Sequence, residues 1–297
     1  MSIKIIRISL TILLLSTLLL QACSDNGKDY LITIETDFGD IKMILYDQSP
    51  KHKKNFIELA EKGFYDSLIF HRVINGFMIQ TGDPDSKGLP ATENLRNGGP
   101  GYTIPSEFVA SLIHEKGAVA AARQGDNINP KKESSGSQFY IVQGKVWSEE
   151  ELRNSRINFN ELYKYFGNLI ERSSFKHVKD QVTKLQEEQK IQELQDLIIN
   201  MKDTIETEYD VELDLPLSKK QINTYTTIGG TPHLDGSYTV FGKVVEGLDI
   251  IDKIAAVETG PNDRPLKNII ITLKVEKKNR KKIEQSFGFQ YPEDSSY

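Results

Sequence analysis

"NFIELAEKGFYDSLIFHRVINGFMIQTGDP", residues 55–84, changes its periodicity partway along. Phe56, Leu59 and Ala60 fall on one helical face. Upstream, Ser49-Pro50 reads as an N-cap followed by proline at the first helical position, and Gly63 reads as the stop. "LIFHRVI" and "GFMIQTG" then read as two strands joined near Asn75-Gly76. Arg72 sits there among phenylalanines, a methionine and a glutamine. No acid, cysteine or base accompanies it in sequence.

Strand chemistry continues on both sides. "YLITIET" and "DIKMILYD" flank Phe38-Gly39, so residues 30–46 read as a hairpin. "GAVAAAR" (117–123), "SQFYIVQ" (137–143) and "YTTIGGTPHLDGSYTVFGKVV" (225–245) are further β-rich runs. "GLDIIDKIAAV" (247–257) reads as a short helix and "IIITLKVE" (269–276) as a closing strand. Within "SQFYIV" the pleat puts Gln138 and Tyr140 on one face and Phe139 and Ile141 on the other.

Residues 148–208 have a different texture, rich in Glu, Lys, Gln and Leu. Phe159, Leu162, Phe166 and Leu169 keep helical spacing, and Ser173-Ser174 breaks the run. Phe175, Val178, Val182 and Leu185 follow; after a phase slip Ile191, Leu194, Ile198, Met201 and Ile205 resume. Two helices joined by a short break predict an antiparallel helical hairpin, with one long coiled-coil helix as the alternative. The organisation expected is a β-rich module, residues 29–143 plus 229–277, interrupted by a helical insert at 144–228. A charged tail, 278–297, follows; the basic "KKNRKK" (277–282) at its start reads as solvated and loosely held.

The N-terminus reads as a targeting segment. Lys4 and Arg7 precede the apolar "LTILLLSTLLL" (10–20), which is too short to span a bilayer. "LLQAC" follows, and Cys23 is the one cysteine in the chain. A small residue then cysteine after such a run resembles a bacterial lipoprotein signal. That resemblance implies a signal peptide at 1–22, lipid modification of Cys23, a tether at 23–28 and an extracytoplasmic, membrane-anchored protein. The net charge of −5 argues against a nucleic-acid partner. The five histidines, His52, His71, His114, His177 and His233, show no metal-ligand spacing, so no metal site and no cofactor is expected. The oligomeric state is left open.

Four segments in order along the chain resemble the cyclophilin family of peptidyl-prolyl cis/trans isomerases. They are "NFIELAEKGFYDSLIFHRVINGFMIQTGDP", "GAVAAAR", "GSQFYIV" and "LDGSYTVFGKVVEGLDIIDKI". The resemblance covers the β-rich module and not the signal, insert or tail. It implies a mainly β fold: a closed eight-stranded antiparallel barrel with capping helices. It also implies a catalytic set of Arg72, Phe77 and Gln80. Phe77, Met78 and Leu234 match the family's proline-pocket residues. Gln80 and Gln138 match glutamines near the substrate backbone and the arginine, and Ala122 lies in the segment that holds the residue before proline. Tyr140 stands where the family commonly has phenylalanine, His233 where its best-known members have tryptophan, and Tyr238 where they have histidine.

The implied chemistry suits these residues. Rotation about an X-Pro bond crosses a barrier of about 18–20 kcal/mol because it breaks amide resonance. No covalent bond breaks, so neither nucleophile nor base is needed. In the twisted state the prolyl nitrogen recovers a lone pair, which a fixed cationic donor stabilises over either planar ground state. Arginine stays charged and offers a rigid fork of donors. Aromatic and methionine side chains grip the proline ring without hydrogen bonds. The expected partners are proline-containing unfolded or exported polypeptides. A non-catalytic polypeptide-binding scaffold is the alternative.

Overall fold

The computed structural model describes residues 27–292 except 91, 92, 94, 96 and 97. The signal segment, Cys23 and most of the expected tether lie outside the described residues. The chain divides into two compact units: one runs to Gly144 and resumes at Leu234, and the other is Lys145–His233.

The first unit opens with a hairpin, β1 (Lys28–Thr36) and β2 (Gly39–Leu45), then α1 (Pro50–Glu61). β3 (Arg72–Ile74) and β4 (Met78–Thr81) follow, then β5 (Thr103–Ile104), β6 (Ala118–Ala121), β7 (Ser134–Ser135) and β8 (Phe139–Val142). The second unit contributes α2 (Glu149–Asn154), α3 (Phe159–Ile170), α4 (Lys176–Glu187), α5 (Ile191–Asn200), α6 (Lys202–Tyr209) and α7 (Lys219–Thr227). The first unit ends with β9 (Val240–Glu246), α8 (Leu248–Ala255), β10 (Thr272–Asn279) and α9 (Arg280–Phe287).

Eight strands form one sheet in the order β10-β1-β2-β9-β6-β8-β4-β3, and the pairings are antiparallel. The closed barrel expected from the resemblance is not formed by this ladder, because β3 and β10 stand at its two ends. Only the segments leading into them meet. Phe70 N donates to Ile269 O at 3.0 Å and Ser67 N to Ile271 O at 2.9 Å. β3, three residues long, turns away toward β4 before it pairs with β10.

The strands at the middle of the sheet are buried on both faces, and the two faces alternate residue by residue. Ile41, Met43 and Leu45 of β2, Ile79 of β4, and Phe139 and Ile141 of β8 join the main core. Phe56, Ile57, Leu59 and Ala60 of α1 and Ile250, Ile251 and Ile254 of α8 complete it. Phe139 sits edge-on to Phe56 (5.2 Å) and Tyr65 (5.8 Å). A second cluster takes the opposite residues: Ile44, Met78, Tyr140, Val142, Ala118 and Ala120. The candidate site is built on this second face.

Several local expectations change. Ser49 occupies the N-cap position of α1 without capping it; its hydroxyl donates to Val240 O at 3.0 Å. The orphan N–H groups of Lys51 and His52 instead donate to the Glu107 carboxylate at 3.1 and 3.0 Å. A full negative charge suits that helix end better than a hydroxyl. The segment read as a loose tail forms α9, whose Ile283 is 1% exposed against the second cluster. Arg280 pairs with the buried Asp29 at 3.2 Å, which anchors the start of that helix.

The Lys145–His233 unit is helical but not a two-helix hairpin. The break at Ser173–Phe175 is a 3-10 turn. The stretch beyond it is cut twice more, after Glu187 and at Met201. The first cut falls on the phase slip between Leu185 and Ile191, where Gln189 takes a φ of 55°. Each short helix thereby turns its apolar residues to one cluster, which includes Leu162, Phe166, Leu169, Val178, Val182, Ile198 and Ile205. Ile191, at the slip, is 69% exposed. Among the described residues no helix is long and apolar enough to cross a membrane.

Candidate active site

Register sets the site. Arg72 pairs with Gln80 across β3 and β4. Gln80 pairs with Tyr140 across β4 and β8, and Tyr140 with Ala120 across β8 and β6. These four residues therefore lie in a row across one face of the sheet. The Asn75–Phe77 turn, with Gly76 at φ 75°, brings Phe77 and Met78 to the same side.

Arg72, Gln80 and Tyr140 of this row face a cavity of about 490 Å³, a size suited to a small group or a short peptide segment. It is lined by Arg72, Phe77, Met78, Gln80, Ala122, Gln138, Tyr140, Leu234 and Tyr238, and also by His71, Asp83, Leu95, Arg123, Pro261, Asn262 and Arg264. Nine of the ten residues expected from the resemblance are thus assembled. His233 is the exception. It lies in the turn Pro232–Leu234, belongs to the helical unit and does not line the cavity.

The floor is apolar with one polar device beneath it. Tyr140 is 4% exposed and His114 is fully buried. The Tyr140 hydroxyl stands 3.1 Å from His114 Nε2, and His114 Nδ1 stands 3.0 Å from Asp235 Oδ1. Burial pushes the Tyr140 phenol well above its ordinary range, so the hydroxyl stays protonated and donates. Nε2 accepts that proton's bond, and Nδ1–H donates to the carboxylate. The hydroxyl of Tyr140 is therefore satisfied away from the cavity, and its ring serves as phenylalanine would. Tyr238 meets that ring edge-on at 6.0 Å and carries the Arg123 guanidinium over its own face at 4.5 Å.

The glutamines are tied to each other. Gln80 Nε2 donates to Gln138 Oε1 at 3.0 Å. Gln138 Nε2 donates in turn to Asp83 Oδ2 at 3.1 Å and to Gly98 O at 2.9 Å. Burial, against bonds from the backbone of Asp85 and Gly98, leaves the Asp83 carboxyl above its usual range. His71 is pressed the other way: burial, then the cations Arg264 and Arg72, lower it to about 4. It is neutral near pH 7.

Sequence reasoning found no acid beside Arg72, and the structure supplies one. Asp263 Oδ2 accepts from Arg72 Nε at 3.2 Å. Asp83, His114, Asp235, Arg123 and Arg264 were also missed. Of these, Asp83, Arg123 and Asp235 lay inside the segments that carry the resemblance, and His114 and Arg264 lay outside them. Among the described residues no three His, Cys, Asp or Glu side chains cluster as a metal site would.

The sequence model of the cyclophilin type peptidyl-prolyl cis-trans isomerase/CLD family matches residues 31–203 and 218–275. The chain belongs to this family, the enzymes of EC 5.2.1.8. The match runs into the helical unit, so it does not set residues 144–228 apart as the sequence reading did. A Streptococcus pyogenes protein provisionally named a bifunctional phosphatase/peptidyl-prolyl cis-trans isomerase is 32% identical over 83% of this chain, which spans 38% of that protein's length. A Staphylococcus saprophyticus protein provisionally named a peptidyl-prolyl cis-trans isomerase is 28% identical over 83% of this chain and 91% of its own. A crystal structure of a Cryptosporidium parvum cyclophilin type peptidyl-prolyl cis-trans isomerase matches at 21% identity and a TM-score of 0.47, over 84% of this chain and 98% of that one. At that score the likeness adds nothing to the assignment, which rests on sequence.

Proposed function

We propose that the chain accelerates cis/trans rotation of X-Pro bonds in exported polypeptides, with Arg72 as the donor that stabilises the twisted amide. The reading is carried by the cavity that sets Arg72 beside an apolar floor of Phe77, Met78, Tyr140 and Leu234. The proline ring seats on that floor. Gln80 and Gln138 line the strand side, where a substrate backbone runs past Ala122. Asp263 occupies Arg72 Nε, and among the described residues Nη1 and Nη2 carry no partner, so they serve the prolyl nitrogen as it loses conjugation. Removing one preorganised donor of this kind costs on the order of 10²–10³ in rate.

A protease-coupled tetrapeptide assay tests the reading. Arg72→Ala is expected to lower kcat/KM by roughly that factor while the fold stays intact. A variant as fast as wild type rejects Arg72 as the donor; an inactive wild type points to a polypeptide-binding scaffold without catalysis. Lipid attachment at Cys23 and an extracytoplasmic address belong to the same proposal, supported by the n-region, apolar run and "LLQAC". Fractionation of cells expressing the full chain and Cys23→Ser tests them. The serine variant should leave the membrane fraction, and its retention there overturns the anchor.

A further inference from the structure

Arg72 is held by an acid that the reaction itself does not call for. Its side chain is 43% exposed and carries the guanidinium on a long stem, so without a restraint it would spread over many rotamers. Gln80, its cross-strand neighbour, turns its amide Nε2 to Gln138 Oε1, and no hydrogen bond joins it to the guanidinium. Asp263 does, through a single bond from Nε to Oδ2 at 3.2 Å. One oxygen on Nε fixes the plane of the guanidinium while leaving the Nη edge open. A carboxylate on the Nη edge would compete with substrate instead.

The turn that presents Asp263 is built for placement. Asn262 and Asp263 both adopt left-handed backbone, with φ of 62° and 59°. Such a pair is costly for residues other than glycine. It is pinned from both sides: Gly260 N donates to Arg264 O at 2.8 Å. Arg264, itself 7% exposed, donates through Nη2 to Pro90 O at 3.1 Å and to Asn268 Oδ1 at 3.3 Å. Pro261 and Asn262 of the same turn line the cavity.

We infer that Asp263 is a positioning residue for catalysis, holding Arg72 in the plane from which it meets the prolyl nitrogen. The inference rests on Arg72 being the donor, as proposed above. Both partners are partly exposed, so the bond contributes modestly, up to about 1 kcal/mol, which is about fivefold in rate.

The experiment compares wild type, Asp263→Ala, Asp263→Asn, Arg72→Ala and the Arg72→Ala/Asp263→Ala double variant, with kcat and KM separated by exchange NMR on a proline peptide. Asp263→Ala is expected to lower kcat about fivefold with KM little changed. Asp263→Asn, whose Oδ1 still accepts from Nε, should recover most of that loss. In the Arg72→Ala background the aspartate change should have no further effect. An Asp263→Ala enzyme as fast as wild type or faster overturns the inference, as does an equal loss with and without Arg72. If Arg72→Ala itself matches wild type, the parent reading fails and this one falls with it.

Discussion

Tyr140→Phe removes one oxygen from beneath the cavity and leaves the ring that forms its floor. In the wild type that oxygen donates to His114 Nε2 at 3.1 Å, in a setting where Tyr140 is 4% exposed and His114 fully buried. The variant leaves Nε2 as a buried acceptor with nothing to accept from. The vacated space, one oxygen atom, is too small for a water to take its place. Stranding a buried acceptor costs about 1–3 kcal/mol. Catalysis should barely change, since phenylalanine presents the same apolar face to a proline ring and Arg72 is untouched; kcat/KM is expected within about twofold, under roughly 0.5 kcal/mol. Urea unfolding of the sheet unit reads the first quantity as a lower midpoint at unchanged slope. The coupled peptide assay reads the second. Unchanged stability would refute the buried relay from Asp235 through His114 to Tyr140. A tenfold fall in kcat/KM with stability intact would show that the hydroxyl serves substrate, against the geometry described.

Three further outcomes follow from the same structure. His71 is 8% exposed and lowered to about 4 by burial and by Arg264 and Arg72, against an ordinary value of 6.5. Between those values the unfolded chain binds a proton that the folded one refuses, so stability falls as pH drops from about 6.5 toward 4. The loss totals roughly 3 kcal/mol at 1.36 kcal/mol per pH unit. Denaturation across that range should be flatter in His71→Asn, and an equal slope in both proteins contradicts the assignment. Gly82→Ala would set a Cβ 2.2 Å from Ser137 O at a φ of 94°, prising β4 from β8 beside Gln80 and Gln138. It should cost more than about 3 kcal/mol, and a wild-type midpoint would be incompatible with that approach. Ile283→Ala empties a position 1% exposed in α9 and should cost about 2–4 kcal/mol; a change below about 0.5 kcal/mol would mean the C-terminal segment is solvated after all.

The strand face that carries the site was legible in the sequence for a geometric reason. Side chains alternate along a strand, so "SQFYIV" alone separates Gln138 and Tyr140, which line the cavity, from Phe139 and Ile141, which enter the core. The turn at Asn75-Gly76 likewise follows from local backbone preference, and it orders Arg72, Phe77, Met78 and Gln80 along one hairpin. Helix termini were less legible: the phase slip near residue 188 signalled a change, but only packing against one cluster decided that the chain would break there. Most strands of the large sheet were recognised, but the run read as β-rich from Tyr225 becomes a strand only at Val240, after the end of α7 and the turn Pro232–Leu234; how the ladder ends, with β3 and β10 not paired to each other, was not legible, because pairing depends on segments far apart. The partners of the site lie beyond any local signal. Asp263 reaches Arg72 from 191 residues away, Asp235 reaches His114 from 121, and Glu107 caps α1 in place of Ser49. A carboxylate in a turn carries no periodicity and no spacing that says which cation it will meet. Local sequence determined which residues face the cavity; cross-sheet register and turn geometry decided which charges hold them.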